Sequence, residues 1–153
     1  LKGVEATAES LRKELTEASI FHYAGHGQFN PTNNTNSSLI LANESKFDVS
    51  DILALPRVPE HVILSACETA KSGANLPQEG LGIAQAFVTA GSQSVIASTR
   101  SVEDTLSQFM MTHLYQAHAA TGDLALALQQ SQKKAAAQFP DSDWATFRIM
   151  TRN

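Results

Sequence analysis

The sequence predicts one α/β domain, built as a mostly parallel sheet with helices on both faces. Two observations carry this. Short β-rich runs alternate with longer amphipathic stretches along the chain, the pattern that strand–crossover–strand units produce. The run Val62-Ile63-Leu64 is continuously apolar, as befits a strand covered on both faces. A length of 153 residues, 42% of them hydrophobic, supplies one core and leaves little room for a second domain.

Taken in order, Ala6 to Glu17 reads as a helix, with Leu11 and Leu15 on one face and charges between them. Ile20 to Ala24 is a β-rich run that ends in Gly25-His26-Gly27. Residues 30 to 38 are the most polar stretch, with neither period nor apolar anchor, and read as a mobile loop. Leu39 to Ala42 fits a strand, and Ser50 fits an N-cap for a short helix, Asp51 to Leu55, stopped by Pro56. His61 to Ala66 is the buried strand, ending at Cys67. A second polar loop, Glu68 to Gln78, leads to a helix from Glu79 to Ala90 with Gly91 as its C-cap. Ser94 to Ser98 is the next strand. Ser101 and Asp104 have capping-box spacing and open a helix with Leu106, Met110, Leu114 and Ala117 on one face, ended by Gly122. Asp123 to Gln138 is another helix, and Trp144 to Met150 a last strand.

Composition excludes several functions. Lys and Arg number 11 against 15 Asp and Glu, a net charge of −4, so there is no basic footprint for nucleic acid or an anionic membrane. No apolar run approaches the roughly 20 residues that a membrane-crossing helix needs. No basic-then-apolar leader is present, so a cytoplasmic setting is expected. The single cysteine excludes an internal disulfide, a Cys-rich zinc site and a dithiol redox cycle. No metal or cofactor is expected. The chain starts at Leu1, not Met, so it reads as a segment of a longer protein.

Ligands of parallel sheets gather beyond the carboxyl ends of the strands, and both His26 and Cys67 fall just past a predicted strand end. A lone cysteine inside a strand is ordinarily a packed, inert thiol. Cys67 instead ends its run and is followed by polar residues. His26 lies between Gly25 and Gly27, whose freedom lets the backbone approach a ligand closely; the plainer reading is a solvent-facing turn histidine. Together the two fit a site in which imidazole removes the thiol proton and the thiolate attacks a carbonyl. The Gly27 and Cys67 N–H groups would supply an oxyanion hole. Other features favour structural roles. His22 reads as a core or sheet-face histidine. Gly80-Leu81-Gly82 lacks the third glycine of a dinucleotide fingerprint. Glu103 and Asp104 suit the first turn of a helix through its dipole, and Trp144 and Phe147 suit the core.

The blocks Phe21-His22-Tyr23-Ala24-Gly25-His26-Gly27 and Val62-Ile63-Leu64-Ser65-Ala66-Cys67-Glu68-Thr69-Ala70 resemble the CHAT domain, a caspase-like cysteine peptidase family often fused to tetratricopeptide repeats. The likeness continues through Gly80-Leu81, Ala86 to Gly91, Ser94 to Ser98 and Trp144 to Phe147, and so covers nearly the whole chain, 1–153. It implies a caspase-like three-layer sandwich with the N-terminal part of the domain outside this segment. It implies a cysteine endopeptidase with His26 as general acid and base and Cys67 as nucleophile, acting on a protein or peptide substrate through a thioester. A tetratricopeptide-repeat region or other regulatory domain is the implied partner. In the related separases an acidic residue in the corresponding stretch recognises a basic residue before the scissile bond. That likeness points to Asp104, with Glu103 beside it, as substrate-binding. The chain departs from the family at Thr99-Arg100, where an apolar–Trp pair is usual.

Two other functions compete. One is a catalytically silent interaction module, against which the intact His26 and Cys67 speak. The other is a glutaminase-like Cys/His hydrolase, which would place its nucleophile on a tight glycine-flanked elbow; here a long loop, Glu68 onward, follows Cys67.

Overall fold

The computed structural model describes residues 1–28, 37–65 and 81–152. Helix α1 (Ala8–Leu15) opens on Thr7, whose side chain accepts the Ser10 N–H. Strand β1 (Ile20–Tyr23) follows, then a small three-stranded antiparallel sheet of β2 (Gly27–Gln28), β3 (Ser38–Ile40) and β4 (Lys46–Asp48). Helix α2 (Val49–Leu53) leads to β5 (His61–Leu64), α3 (Leu81–Ala90), β6 (Ser94–Ser98), α4 (Asp104–Thr121), α5 (Leu124–Gln138) and β7 (Phe147–Thr151). The main sheet has the order β1-β5-β6-β7, with β1, β5 and β6 parallel and β7 antiparallel.

Period-two alternation splits the core into two layers. On β5, Val62 and Leu64 face one side and Ile63 the other; on β6, Val95 and Ala97 oppose Ile96 in the same way. The first side packs against Leu11 and Leu15 of α1, Ile52 of α2 and Phe87 of α3. The second packs against Met110 and Leu114 of α4, Ala127 and Leu128 of α5, and Phe147. This is the three-layer α/β arrangement that the alternation implied.

Several local expectations change. Of the small sheet only β3 was expected, as Leu39 to Ala42, and it runs Ser38–Ile40; β2 and β4 escaped the sequence because they are too short for an alternating pattern to register. The cap of α2 is Asp48, not Ser50. Asp48 accepts the Asp51 N–H at 3.0 Å while Asp51 accepts the Asp48 N–H at 3.0 Å, and Ser50 donates to Asp48 from inside the helix. Helix α4 starts at Asp104 with Glu103, in extended backbone, as its N-cap in place of Ser101, and buried Val102 just before it packs into the second core layer. The last strand starts at Phe147, after a turn in which Thr146 N–H donates to Asp143. Gly91 and Gly122 do stop their helices, at φ 122° and 69°. The polar loop at 30–38, the 68–78 loop, the start of the 79–90 helix and the Gly80 fingerprint fall wholly or mainly outside the described residues.

Candidate functional site

The site lies where β1 and β5 run out. Their parallel ladder ends on Ser65, whose N–H donates to the Tyr23 carbonyl at 2.9 Å. Past this point β1 turns away through Ala24, Gly25 and His26 into β2. One shared donor holds the turn: the Tyr23 hydroxyl, on a side chain only 8% exposed, lies 2.7 Å from the His26 carbonyl and 2.6 Å from the Ile40 carbonyl and shares its single proton between them. Burial pushes its phenol up to about 12, so it serves as a neutral donor.

That arrangement accounts for Gly25. Its φ is not positive, so no left-handed conformation demands glycine there. A Cβ at residue 25 would instead lie 2.7 Å from the Tyr23 hydroxyl oxygen. Close approach of a ring, not backbone freedom, fixes this residue.

Gly27 pairs with Leu39, and the Ile40 N–H donates to the His26 carbonyl. In an antiparallel ladder this makes Gly27–Leu39 the non-hydrogen-bonded pair, so the Gly27 N–H is turned away from β3. The His26 side chain is exposed and makes no hydrogen bond to the described residues.

An open cleft of about 530 Å³ lies over these strand ends. His22, His26 and Ser65 line it from the sheet, and Asp104, Met111 and Tyr115 from α4. Asp104 therefore shares one cleft with His26. Glu103, exposed at the helix cap, is not among the lining residues. Arg100, the departure from the family pattern, does not line it either; its guanidinium pairs with Asp143 at 2.9 Å. The described lining thus carries the Asp104 carboxylate and no lysine or arginine. Cys67 lies outside the described residues, two positions beyond Ser65.

Sequence reasoning passed over one group. His22, expected in the core or on a sheet face, is half-buried in the cleft wall. Its Nε2 is 2.7 Å from Ser65 Oγ and its Nδ1 2.9 Å from the Tyr115 hydroxyl. Burial lowers its affinity for a proton and raises the Tyr115 phenol. The signal was a polar residue, Ser65, closing an apolar strand beside a histidine-bearing one. No group of three or more His, Cys, Asp or Glu able to hold a metal occurs among the described residues. No helix among them is long and apolar enough to cross a membrane.

A family model described as CHAT domain matches residues 1–152. No curated protein matches the chain.

Proposed function

Because the chain belongs to the CHAT domain family, a caspase-like, peptidase-related family, we propose that it is a cysteine endopeptidase using His26 and Cys67. The observation that carries this reading is the single cleft that gathers His26, Asp104 and the end of the strand leading to Cys67. In the proposed cycle His26 takes the Cys67 thiol proton, and the thiolate sulfur bonds to the scissile carbonyl carbon. The N–H groups of Gly27 and Cys67 stabilise the resulting oxyanion. The outward-turned Gly27 amide supports that role. Collapse of the tetrahedral species breaks the C–N bond while protonated His26 gives its proton to the departing amine. Water, deprotonated by His26, then hydrolyses the thioester and restores the thiol.

The Asp104 carboxylate, with no cation beside it in the described lining, suits an Arg or Lys side chain before the cleaved bond. Glu103 would act only from the rim. Activation by a tetratricopeptide-repeat region or other partner domain, and a cytoplasmic setting, belong to the same proposal.

The alternative is a silent interaction module that keeps the family's fold. A peptide-library cleavage profile separates the two. The wild type should cut, Cys67→Ala should not, and Asp104→Ala should lose the basic preference. Absence of cleavage by the full-length protein with its partner domains, together with Cys67 labelling that is unaffected by His26→Ala, would favour the docking module.

A further inference from the structure

We propose that Tyr115, His22 and Ser65 form a positioning relay that fixes the end of β5, from which the Cys67 segment departs, against the α4 wall of the cleft. The proposal rests on the Cys–His reading above.

The relay stands on geometry. Tyr115 belongs to α4, His22 to β1, and Ser65 ends β5, and all three line the cleft. Both ring nitrogens of His22 engage side chains from different elements, Nδ1 with Tyr115 at 2.9 Å and Nε2 with Ser65 at 2.7 Å. The bonds have a consistent direction. The Ser65 hydroxyl can give its one proton to the Tyr23 carbonyl, at 3.4 Å, and so accepts from His22 Nε2–H. That tautomer leaves Nδ1 to accept the Tyr115 O–H. Burial favours the neutral forms of both His22 and Tyr115, which is the state the chain of donors requires.

Its place explains its use. Beyond Ser65 the β1–β5 ladder stops, because β1 has turned toward His26. Past this point β5 keeps only β6 as a neighbour, and a strand end paired on one side is held less firmly than a nucleophile's placement within fractions of an ångström requires. Side-chain bonds take over where pairing with β1 ends. They also tie the strand end to the helix that carries Asp104, so the catalytic and specificity walls keep one spacing. Among the described residues, the ionisable groups sharing this cleft with His22 and Tyr115 are His26 and Asp104.

The test is the pH profile of Cys67 alkylation by iodoacetamide, a probe too small to use the cleft, in the full-length protein. A thiol held beside an imidazole alkylates at lower pH than a free one. Tyr115→Phe keeps the ring contact with His22, at 5.7 Å between centroids, and deletes only the hydroxyl. It should slow alkylation at neutral pH about tenfold and move the midpoint up toward that of His26→Ala, while lowering Tm by no more than about 5 °C. His22→Gln, which keeps a donor for Ser65, should recover more reactivity than His22→Leu. If Tyr115→Phe and the His22 variants titrate as wild type while His26→Ala shifts, the relay is wrong and the dyad stands. If His26→Ala also leaves the profile unchanged, the dyad reading fails and takes the relay with it. Should His22→Leu not fold, Tyr115→Phe alone decides.

Discussion

Gly25→Ala is the sharpest probe of how the histidine turn is built. The backbone there tolerates alanine, so any cost is steric. The new methyl would sit 2.7 Å from the Tyr23 hydroxyl oxygen, 2.8 Å from Cζ and 3.3 Å from Cε2. Tyr23 is 8% exposed and cannot swing freely into solvent. Either the ring is displaced, losing its shared bond to the His26 and Ile40 carbonyls, or residues 24–26 shift and carry His26 with them. The one shared hydrogen bond is worth about 0.5–1.5 kcal/mol, and overpacking adds about 1–3 kcal/mol. The expected loss is about 2–4 kcal/mol. For a domain of this size that lowers Tm by roughly 5–15 °C. Urea unfolding of Gly25→Ala in the wild-type and Tyr23→Leu backgrounds isolates the cause. Leucine has no atom where Cζ and the hydroxyl stood, so the added methyl should then cost under about 0.5 kcal/mol. Equal costs in the two backgrounds, or a negligible cost in the wild type, would refute the close-approach account.

Three further outcomes follow from the same structure. Arg100→Ala should leave the residue preference of cleavage unchanged and alter stability by less than about 0.5 kcal/mol, since its partner Asp143 is on an exposed surface away from the cleft; denaturation and library profiling check both. Asp48→Ala removes the α2 capping box and should cost about 1 kcal/mol by urea unfolding at neutral pH. The Ser50 hydrogen bond, aided by the Asp51 N–H, holds the Asp48 carboxyl below its ordinary 3.8, so this contribution persists above that value and fades only as pH falls through the lower folded-state value. His22 acts in the same direction at milder acidity. Burial lowers its proton affinity from 6.5, so the unfolded chain binds the proton more readily and stability declines as pH falls below about 6.5. Urea midpoints measured between pH 7 and 5 should fall less steeply in His22→Gln than in wild type.

The main sheet was legible in the sequence because burial on both faces leaves an apolar run, as at Val62-Ile63-Leu64, and because glycine terminates helices where left-handed backbone is needed, as at Gly91 and Gly122. Strands of two or three residues carry little such record: β3 showed only as the run at Leu39 to Ala42, and its partners β2 and β4 stayed hidden. Helix starts were misplaced where tertiary packing chose the cap: Asp48 ends a strand that buries Phe47, and Glu103 follows buried Val102. The cleft itself was half legible. Strand-end logic places His26 on its rim, and likeness to a family brings in Asp104; Tyr115 could not be anticipated, because its bond to His22 joins residues 93 positions apart.

The adjacent pair His22-Tyr23 shows why the missing part matters. Consecutive residues of a strand point to opposite faces. Tyr23 enters the first core layer and from there holds the turn that presents His26, through its hydroxyl and the close fit over Gly25. His22 faces α4 and holds Ser65, at the end of the neighbouring strand. One residue fixes the imidazole's turn and the next fixes the strand that runs on to the cysteine. Both act through parallel β1–β5 pairing, which aligns His22 with Ile63 and Tyr23 with Leu64. A register slip of one residue would exchange the two faces and undo both supports at once. The spacing between the proposed acid–base group and the strand leading to its nucleophile is therefore set by the sheet, so substitutions that weaken β1–β5 pairing should reduce Cys67 reactivity before they unfold the domain.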